Sequence, residues 1–462
     1  MRATILKLTA TSLAAVILFS ACRKREGFAL PDNYAEFTSN AQGISESENS
    51  INIKVTLTRG TDKEVPITVN ITEQGAAYGT KYTTTPAAAA GVITLAVPMG
   101  NNEASFTINK VSGALFDGTE KLTFDINSSG SPVLIGTDKH LTLSFAELVA
   151  TNSTYILQGG GATYPNKVFV DLSANRQTSV PRVSWDLGFY TDANDFKVIL
   201  NASTAMMAKQ INKNDLTQVT AADTVGLVPD LTYGTLVPGQ LDYVDYPDGD
   251  MNKTALDLIA ATASDNKVFI VNRGLGVGTP APERGWKKIR VLRNNSGGYT
   301  LQHADIASAT FSSIDIPKDD KYFFKYVSFE NGIVSVEPEK TKWDIAWTFS
   351  GYVFNAGGEV PYVFQDMVFQ NRNVQAVRVM TSAKSYDSFA EADIAALTLS
   401  PVLSTIGSDW RSTSPPASVR ADRYYIIKDG NNNYYKLKFV AITDAGVRGY
   451  PKIEYALVKR GS

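Results

Sequence analysis

The sequence predicts an all-β protein, and three observations carry that prediction. Apolar and polar residues alternate with period two over short runs along most of the chain, the pattern of strands with one buried face. The 462 residues include 21 Tyr and 21 Phe among frequent turn residues, a composition that leans towards sheet. An alternating tryptophan-bearing stretch also occurs twice, as Val183-Ser-Trp185-Asp186-Leu187-Gly188-Phe189-Tyr190 and as Thr341-Lys-Trp343-Asp344-Ile345-Ala346-Trp347-Thr348. The copies lie 343 − 185 = 158 positions apart, which suits a duplicated domain and is too long for a solenoid repeat. Alternation puts Trp185, Leu187 and Phe189 on one face, as it does Trp343, Ile345 and Trp347, with each aspartate on the opposite face.

The chain begins with a targeting pattern. Arg2 and Lys7 precede an apolar run from Leu8 to Ala21, too short to span a bilayer. The run ends Phe19-Ser20-Ala21-Cys22, which resembles the cleavage box of a bacterial lipoprotein. Residues 1–22 are then a lipoprotein signal peptide, Cys22 the lipidated residue, and 23–36 a linker. Cys22 is the single cysteine, so no disulfide can form and an acyl anchor is the use left for its thiol. Arg23-Lys24-Arg25 adds positive charge suited to a membrane surface. No aspartate follows Cys22, which points to a lipid-anchored place at the outer membrane of the cell envelope, with the periplasmic and surface leaflets both open. Formal net charge is −2, so no basic field suggests nucleic acid as a partner.

Residues 37–147 read as a first module. Ile51 to Leu57, Val65 to Ile71, Ile93 to Val97, Phe106 to Ile108, Leu122 to Ile126 and Leu141 to Phe145 alternate, with turn pairs such as Arg59-Gly60 and Gln74-Gly75 between them. Ser45-Glu46-Ser-Glu48, Ala77-Tyr-Gly79-Thr-Lys-Tyr82, Pro98-Met-Gly100-Asn101 and Phe116-Asp117-Gly118-Thr-Glu120 recur in the order of a Calx-β domain. The module is therefore similar to that immunoglobulin-like sandwich. The resemblance implies calcium sites built from carboxylates such as Glu46, Asp117 and Glu120. Lys81 stands where the family's turn carries aspartate, and a solvated turn is the favoured reading.

Residues 148–305 and 306–462 carry one ordered set of elements twice. Val168-Phe-Val170 corresponds to the strand from Phe323 to Phe329, and the Trp-Asp stretch follows each. Phe196-Lys-Val198-Ile-Leu200-Asn201 leads into the run Ala202 to Ala208; Tyr362-Val-Phe364 leads into Val368-Phe-Gln-Asn371. A short amphipathic helix is expected at Asp215, Leu216 and Val219 with Asn214 as cap, and another at Asp393, Ile394 and Leu397 with Ser388 as cap. Val268-Phe-Ile-Val271-Asn-Arg-Gly274 matches Tyr424-Tyr-Ile-Ile427-Lys-Asp-Gly430 at an offset of 430 − 274 = 156. Basic strands Lys288-Ile289-Arg290-Val291 and Lys436-Leu437-Lys438-Phe439 follow, and Gly298-Tyr299 and Gly449-Tyr450 mark a last strand in each half.

As an ordered set these elements resemble the HmuY family of Bacteroidetes lipoproteins. That resemblance implies two β-rich units, a haem or related porphyrin ligand held by axial side chains on finger-like loops, and an outer-membrane receptor as partner. Haem ligation needs His, Met, Tyr or Cys. His140 lies in the first module and His303 in a final strand, so no histidine pair serves the doubled region. Met206, Met207, Tyr190, Met367 and Met380 are the remaining candidates, although adjacent methionines more often fill core.

Asp245, Asp248 and Asp250 surround Gly249 and could cage calcium, but Asp-Gly is also common turn chemistry and no closing Glu follows; a turn is favoured. Gly274-Leu-Gly276-Val-Gly278 runs into Pro280 and Pro282, so it reads as a hairpin loop with no helix to hold a pyrophosphate. Gly159-Gly-Gly161 reads as punctuation. Asp186 and Asp344 are expected to hydrogen-bond a neighbouring turn and so fix the repeat. No hydrolase or kinase motif occurs, and no enzyme is predicted. The alternative to a haem binder is an adhesion or scaffold lipoprotein that takes a protein or a glycan.

Overall fold

The computed structural model describes residues 31–44, 48–114, 116, 119–145, 152–235, 239–355 and 357–461. The signal peptide, Cys22, Glu46 and Asp117 lie outside the described residues.

The first module has ten strands: β1 (Asn33–Phe37), β2 (Ala41–Gly43), β3 (Ser50–Leu57), β4 (Val65–Gln74), β5 (Tyr82–Thr85), β6 (Val92–Val97), β7 (Glu103–Lys110), β8 (Lys121–Ser129), β9 (Val133–Ile135) and β10 (His140–Ser144). They form two sheets, β5-β7-β3-β1-β9 and β2-β10-β8-β4-β6. Alternate residues such as Ile53, Val55, Val69, Leu95, Phe106 and Phe124 point inward and make one core between the sheets. Lys81 pairs with the buried Glu120, so a cation already neutralises that carboxylate.

The doubled region continues with β11 (Asn152–Ile156), β12 (Asn166–Asp171), β13 (Arg176–Pro181), β14 (Leu187–Tyr190), β15 (Val198–Leu200), β16 (Met207–Ile211), β17 (Val268–Asn272), β18 (Trp286–Arg293), β19 (Tyr299–Asp305), β20 (Ser312–Ile316), β21 (Phe324–Ser328) and β22 (Gly332–Val334). It ends with β23 (Ile345–Asn355), β24 (Glu359–Gln370), β25 (Gln375–Met380), β26 (Arg411–Ser412), β27 (Ser418–Val419), β28 (Arg423–Lys428), β29 (Tyr434–Asp444) and β30 (Val447–Lys459).

Four large sheets result, beside the two-stranded β26-β27, and the four match in pairs. Order β11-β30-β29-β28-β25 mirrors β20-β19-β18-β17-β16, and β13-β12-β23-β24 mirrors β22-β21-β14-β15. The Trp-Asp ribbon of each repeat therefore pairs with a strand of the other: β14 lies against β21, and β23 against β12. The opening strands are exchanged in the same way, with β11 on β30 and β20 on β19. One sandwich is thus built from the unbroken run β14 to β22. The other is built from β11–β13 and β23–β30, with the first inserted between its parts.

Chain length explains the exchange. Pro181 lies level with Asn166, and Asp344 donates its N–H to the Val170 carbonyl at the far end of β12. For Asp186 to stand where Asp344 stands, the chain would cross two strand spacings and five residues of strand, about 19 Å. Five residues separate Pro181 from Asp186 and reach at most about 18 Å even when fully extended. The ribbon leaves for the second sandwich instead, and the vacant place beside β12 goes to β23.

Two expectations change here. Trp185 and Asp186 precede β14, and Trp343 and Asp344 precede β23, because the chain bends at these points as it passes between sandwiches. Trp185 accordingly packs with Phe324, Tyr326 and Val336, apart from the core that holds Leu187 and Phe189. Trp343 packs with Phe169 and Ala346, apart from Ile345 and Trp347. The expected helices are 3-10 turns, Leu216–Gln218 and Glu391–Ala396. Asp215 caps the first through the Thr217 N–H, while Asn214 donates to Ser264. Asp393 closes the second by accepting from the Ala390 N–H, while Ser388 bonds Ser385.

Candidate functional site

Each Trp-Asp bend is held by the same clamp. Asn201 donates its amide to the carbonyls of Arg182 and Trp185, both at 2.8 Å. Asn371 does the same to Lys340 and Trp343, at 2.9 and 2.8 Å. The backbone N–H of each asparagine binds the carbonyl of its aspartate. Each indole meets an aromatic of the exchanged strand edge-on: Trp185 meets Tyr326 at 4.7 Å and Trp343 meets Phe169 at 5.0 Å. Each aspartate also takes a backbone N–H just past that strand, Phe329 for Asp186 and Leu172 for Asp344. The carboxylates thus pin the exchanged strands. The two asparagines belong to the repeated stretches, but period-two alternation gives no signal for a side-chain amide that bridges a bend.

The clamps differ in charge. Asp186 is fully buried and binds Arg273 at 2.9 and 3.1 Å and Arg284 at 3.0 Å. Arg273 also binds Glu330. The residue matching Arg273 in the second repeat is Asp429, so Asp344 faces a carboxylate there. Burial pushes the Asp344 carboxyl well above the usual carboxylate range, with Asp171 and Asp429 adding to the rise. Burial raises Asp171 and Asp429 as well.

The candidate haem ligands do not converge. Met206 lies in the core of the contiguous sandwich, and Met207, at the start of β16, lies in a different apolar cluster. Tyr190 ends β14, 5.4 Å from the Phe324 ring and under the Arg372 guanidinium. Met380 closes β25 opposite Arg423. His303 is buried in β19, 5.2 Å from the Phe329 ring, and burial lowers its pKa. His140 sits exposed on β10 and pairs with Asp125.

Met367 alone among these candidates lines an open groove, of about 560 Å³. The groove runs between the long β23–β24 hairpin and the chain from Ser404 to Arg420, and Tyr246 of the other sandwich closes one side. Its aromatic wall holds Tyr352 stacked on Phe364 at 5.6 Å, with Arg411 over Phe364 at 4.5 Å. Arg411 is engaged with Asp366 at 3.5 Å. Arg420 is exposed at the rim and makes no ion pair among the described residues. The volume and the aromatic wall suit a flat ligand, and Met367, itself 1% exposed, is the thioether at the wall.

The acidic loop is braced from within. Asp245 accepts the N–H groups of Leu200 and Ala255 at 2.6 and 3.0 Å, and burial raises its pKa to about 7. Asp248 accepts from the Asp250 N–H and binds Lys253, and Asp250 caps Asn252. Among the described residues no group of three or more His, Cys, Asp or Glu could hold a metal ion. Gly159 does more than punctuate: a Cβ there would come within 2.2 Å of the Trp347 ring.

Comparison with known proteins adds a family. The model described as "HmuY protein" matches residues 163–306 and again 320–455. No curated protein matches. Among solved structures, the chain is similar to an apo-form Calx CBD1 domain, at 15% identity over 25% of this chain and 96% of that one, with a TM-score of 0.22. It is also similar to a putative lipoprotein from Bacteroides fragilis, at 11% identity over 38% and 90% of the two chains and a TM-score of 0.17. A two-domain protein of unknown function from the same organism covers 39% of this chain and 76% of its own, at 9% identity and a TM-score of 0.19.

Proposed function

The chain belongs to the HmuY family, matched over both repeats, and from that premise we propose that it is a non-enzymatic binding protein of the outer envelope whose ligand is haem or a related porphyrin. The groove beside the β23–β24 hairpin is the observation that carries this reading. It offers an aromatic wall in Tyr352 and Phe364, the Met367 thioether as the candidate iron donor, and the exposed Arg420 for a propionate. Tyr246 and Tyr352 also line the groove, and their phenols are further groups there that could ligate iron.

Titration of the purified protein with haemin tests the reading. A Soret shift that is lost or displaced in Met367→Ala is the expected result. No shift under either oxidising or reducing conditions would sink the haem assignment.

The dispersal of the other candidate ligands favours a second reading, an adhesion or scaffold lipoprotein that takes a protein or a glycan on the same aromatic wall. Absence of a Soret response together with binding of a glycan or protein at Tyr352 and Phe364 would select it. Under both readings Cys22 carries the lipid and an outer-membrane receptor is a candidate partner. Metabolic labelling with palmitate, present in the wild type and abolished in Cys22→Ala, is the expected outcome for the anchor; labelling that persists would refute it.

A further inference from the structure

A second cavity lies between the two sandwiches, adjoining the groove at Tyr246 and Pro247, and both repeated tryptophans line it. Its volume is about 150 Å³, a size that holds a benzene-like ring. Trp185, Phe323 and Trp343 give it apolar walls, and Lys167, Glu337 and Arg372 also line it.

The polar groups around it are unevenly used. Glu337 already accepts the N–H groups of Phe323 and Phe324 and the Tyr326 hydroxyl, at 3.1, 3.0 and 3.1 Å. Asp245, also at the wall, has both oxygens on backbone N–H groups. The donors are the reverse. Lys167 makes no hydrogen bond or ion pair within 4 Å among the described residues; its ammonium lies 4.8 Å from the Phe169 ring. Arg372 gives one N–H to the Gly249 carbonyl at 3.0 Å and leaves its Nε without a partner. The Trp343 indole N–H is buried, at 7% exposure, and also unpartnered. One acceptor, Gln370 Oε1, lacks a partner too.

Buried donors left unmade are costly, and a native interior seldom keeps two, Arg372 Nε and the Trp343 N–H, beside an unpaired ammonium. We propose that this cavity is a binding site for a small carboxylate with a flat apolar body, its anionic end taken by Lys167, Arg372 and the Trp343 N–H and its body held between the indoles. The cavity cannot admit a porphyrin, so the site is separate from the groove and goes beyond the haem reading. Because the walls come from both sandwiches, occupancy also joins the two halves.

Calorimetric titration of the full mature protein with benzoate, and in parallel with benzyl alcohol, tests the site. One benzoate per chain is expected, with benzyl alcohol at least tenfold weaker. Lys167→Met keeps the aliphatic stem and removes the charge; it and Arg372→Met should each weaken benzoate by tenfold or more while near-UV circular dichroism stays that of the folded protein. Equal binding of the alcohol, no benzoate binding, or benzoate binding unchanged in both variants would overturn the proposal. Haemin titration of the same variants should be unaltered, so a failure here is distinguishable from a failure of the groove.

Discussion

Asp186 and Asp344 occupy one place in the repeat and live in opposite fields. Asp186, fully buried, neutralises the buried Arg273 and the half-buried Arg284. Removing its charge takes the carboxylate from Arg284 and leaves Arg273 with Glu330 alone, and Asp186→Asn is expected to destabilise by about 3 kcal/mol. Asp344 has Asp171 and Asp429 for neighbours, and its folded pKa is raised. A carboxyl whose folded pKa exceeds its unfolded value makes the native state bind more protons. Stability is therefore lost as pH rises from the ordinary carboxylate range towards the raised value. Asp344→Asn keeps an acceptor for the Leu172 N–H and removes the charge. It should stabilise at pH 7, by roughly 1 kcal/mol or more, and flatten the decline with pH. Urea unfolding of both variants between pH 5 and 8 checks this, and equal signs for the two would refute it. The recurrence of these aspartates is visible in the sequence. Their divergence is not, because it depends on Arg273 and Asp429 reaching back from strands about ninety positions away.

At the scale of elements, alternation located six of the ten strands of the first module, missing β1, β2, β5 and β9, and most of the doubled region. It failed where strands are short or polar. Arg176–Pro181 has no apolar alternation, so β13 is invisible to it, and β13 is the strand whose short exit forces the exchange. Pairing partners are likewise illegible from period-two patterns, since any inward face fits any other; the reach of residues 182–186 decides them. The same gap hides the groove, whose wall comes from a hairpin and whose side comes from the Asp242–Asp250 loop of the other half. A consequence for fragments follows. Residues 182–337 contain every strand of sheets β15-β14-β21-β22 and β16-β17-β18-β19-β20, and should fold alone with a cooperative melt and dispersed amide resonances. Residues 148–305 contain one complete repeat but lack the partners of β11, β12 and β14, and should be unfolded or dimeric. A folded monomer from 148–305, with 182–337 unfolded, would disprove the exchange.

At the scale of the molecule, the first module meets the doubled region at the tip of the exchanged β12–β13 hairpin. Asn175 donates to Ser39 Oγ and to the Ala41 carbonyl at 3.1 and 2.9 Å, and Arg176 pairs with Glu48 at 2.8 Å. The Tyr455 hydroxyl of β30 binds the same Asn175 from the other side at 2.8 Å. One turn is therefore gripped by the earliest module and by the last strand of the chain. Synthesis runs from the N-terminus. The strands made first in the doubled region, β11 to β13, must wait on the ribosome's exit side while the whole inserted sandwich emerges and closes, and they find their neighbours only when residues 345–459 have followed. Until then their edges stand bare, so the outer sandwich is the last part of the doubled region to mature even though its first strands are the first made.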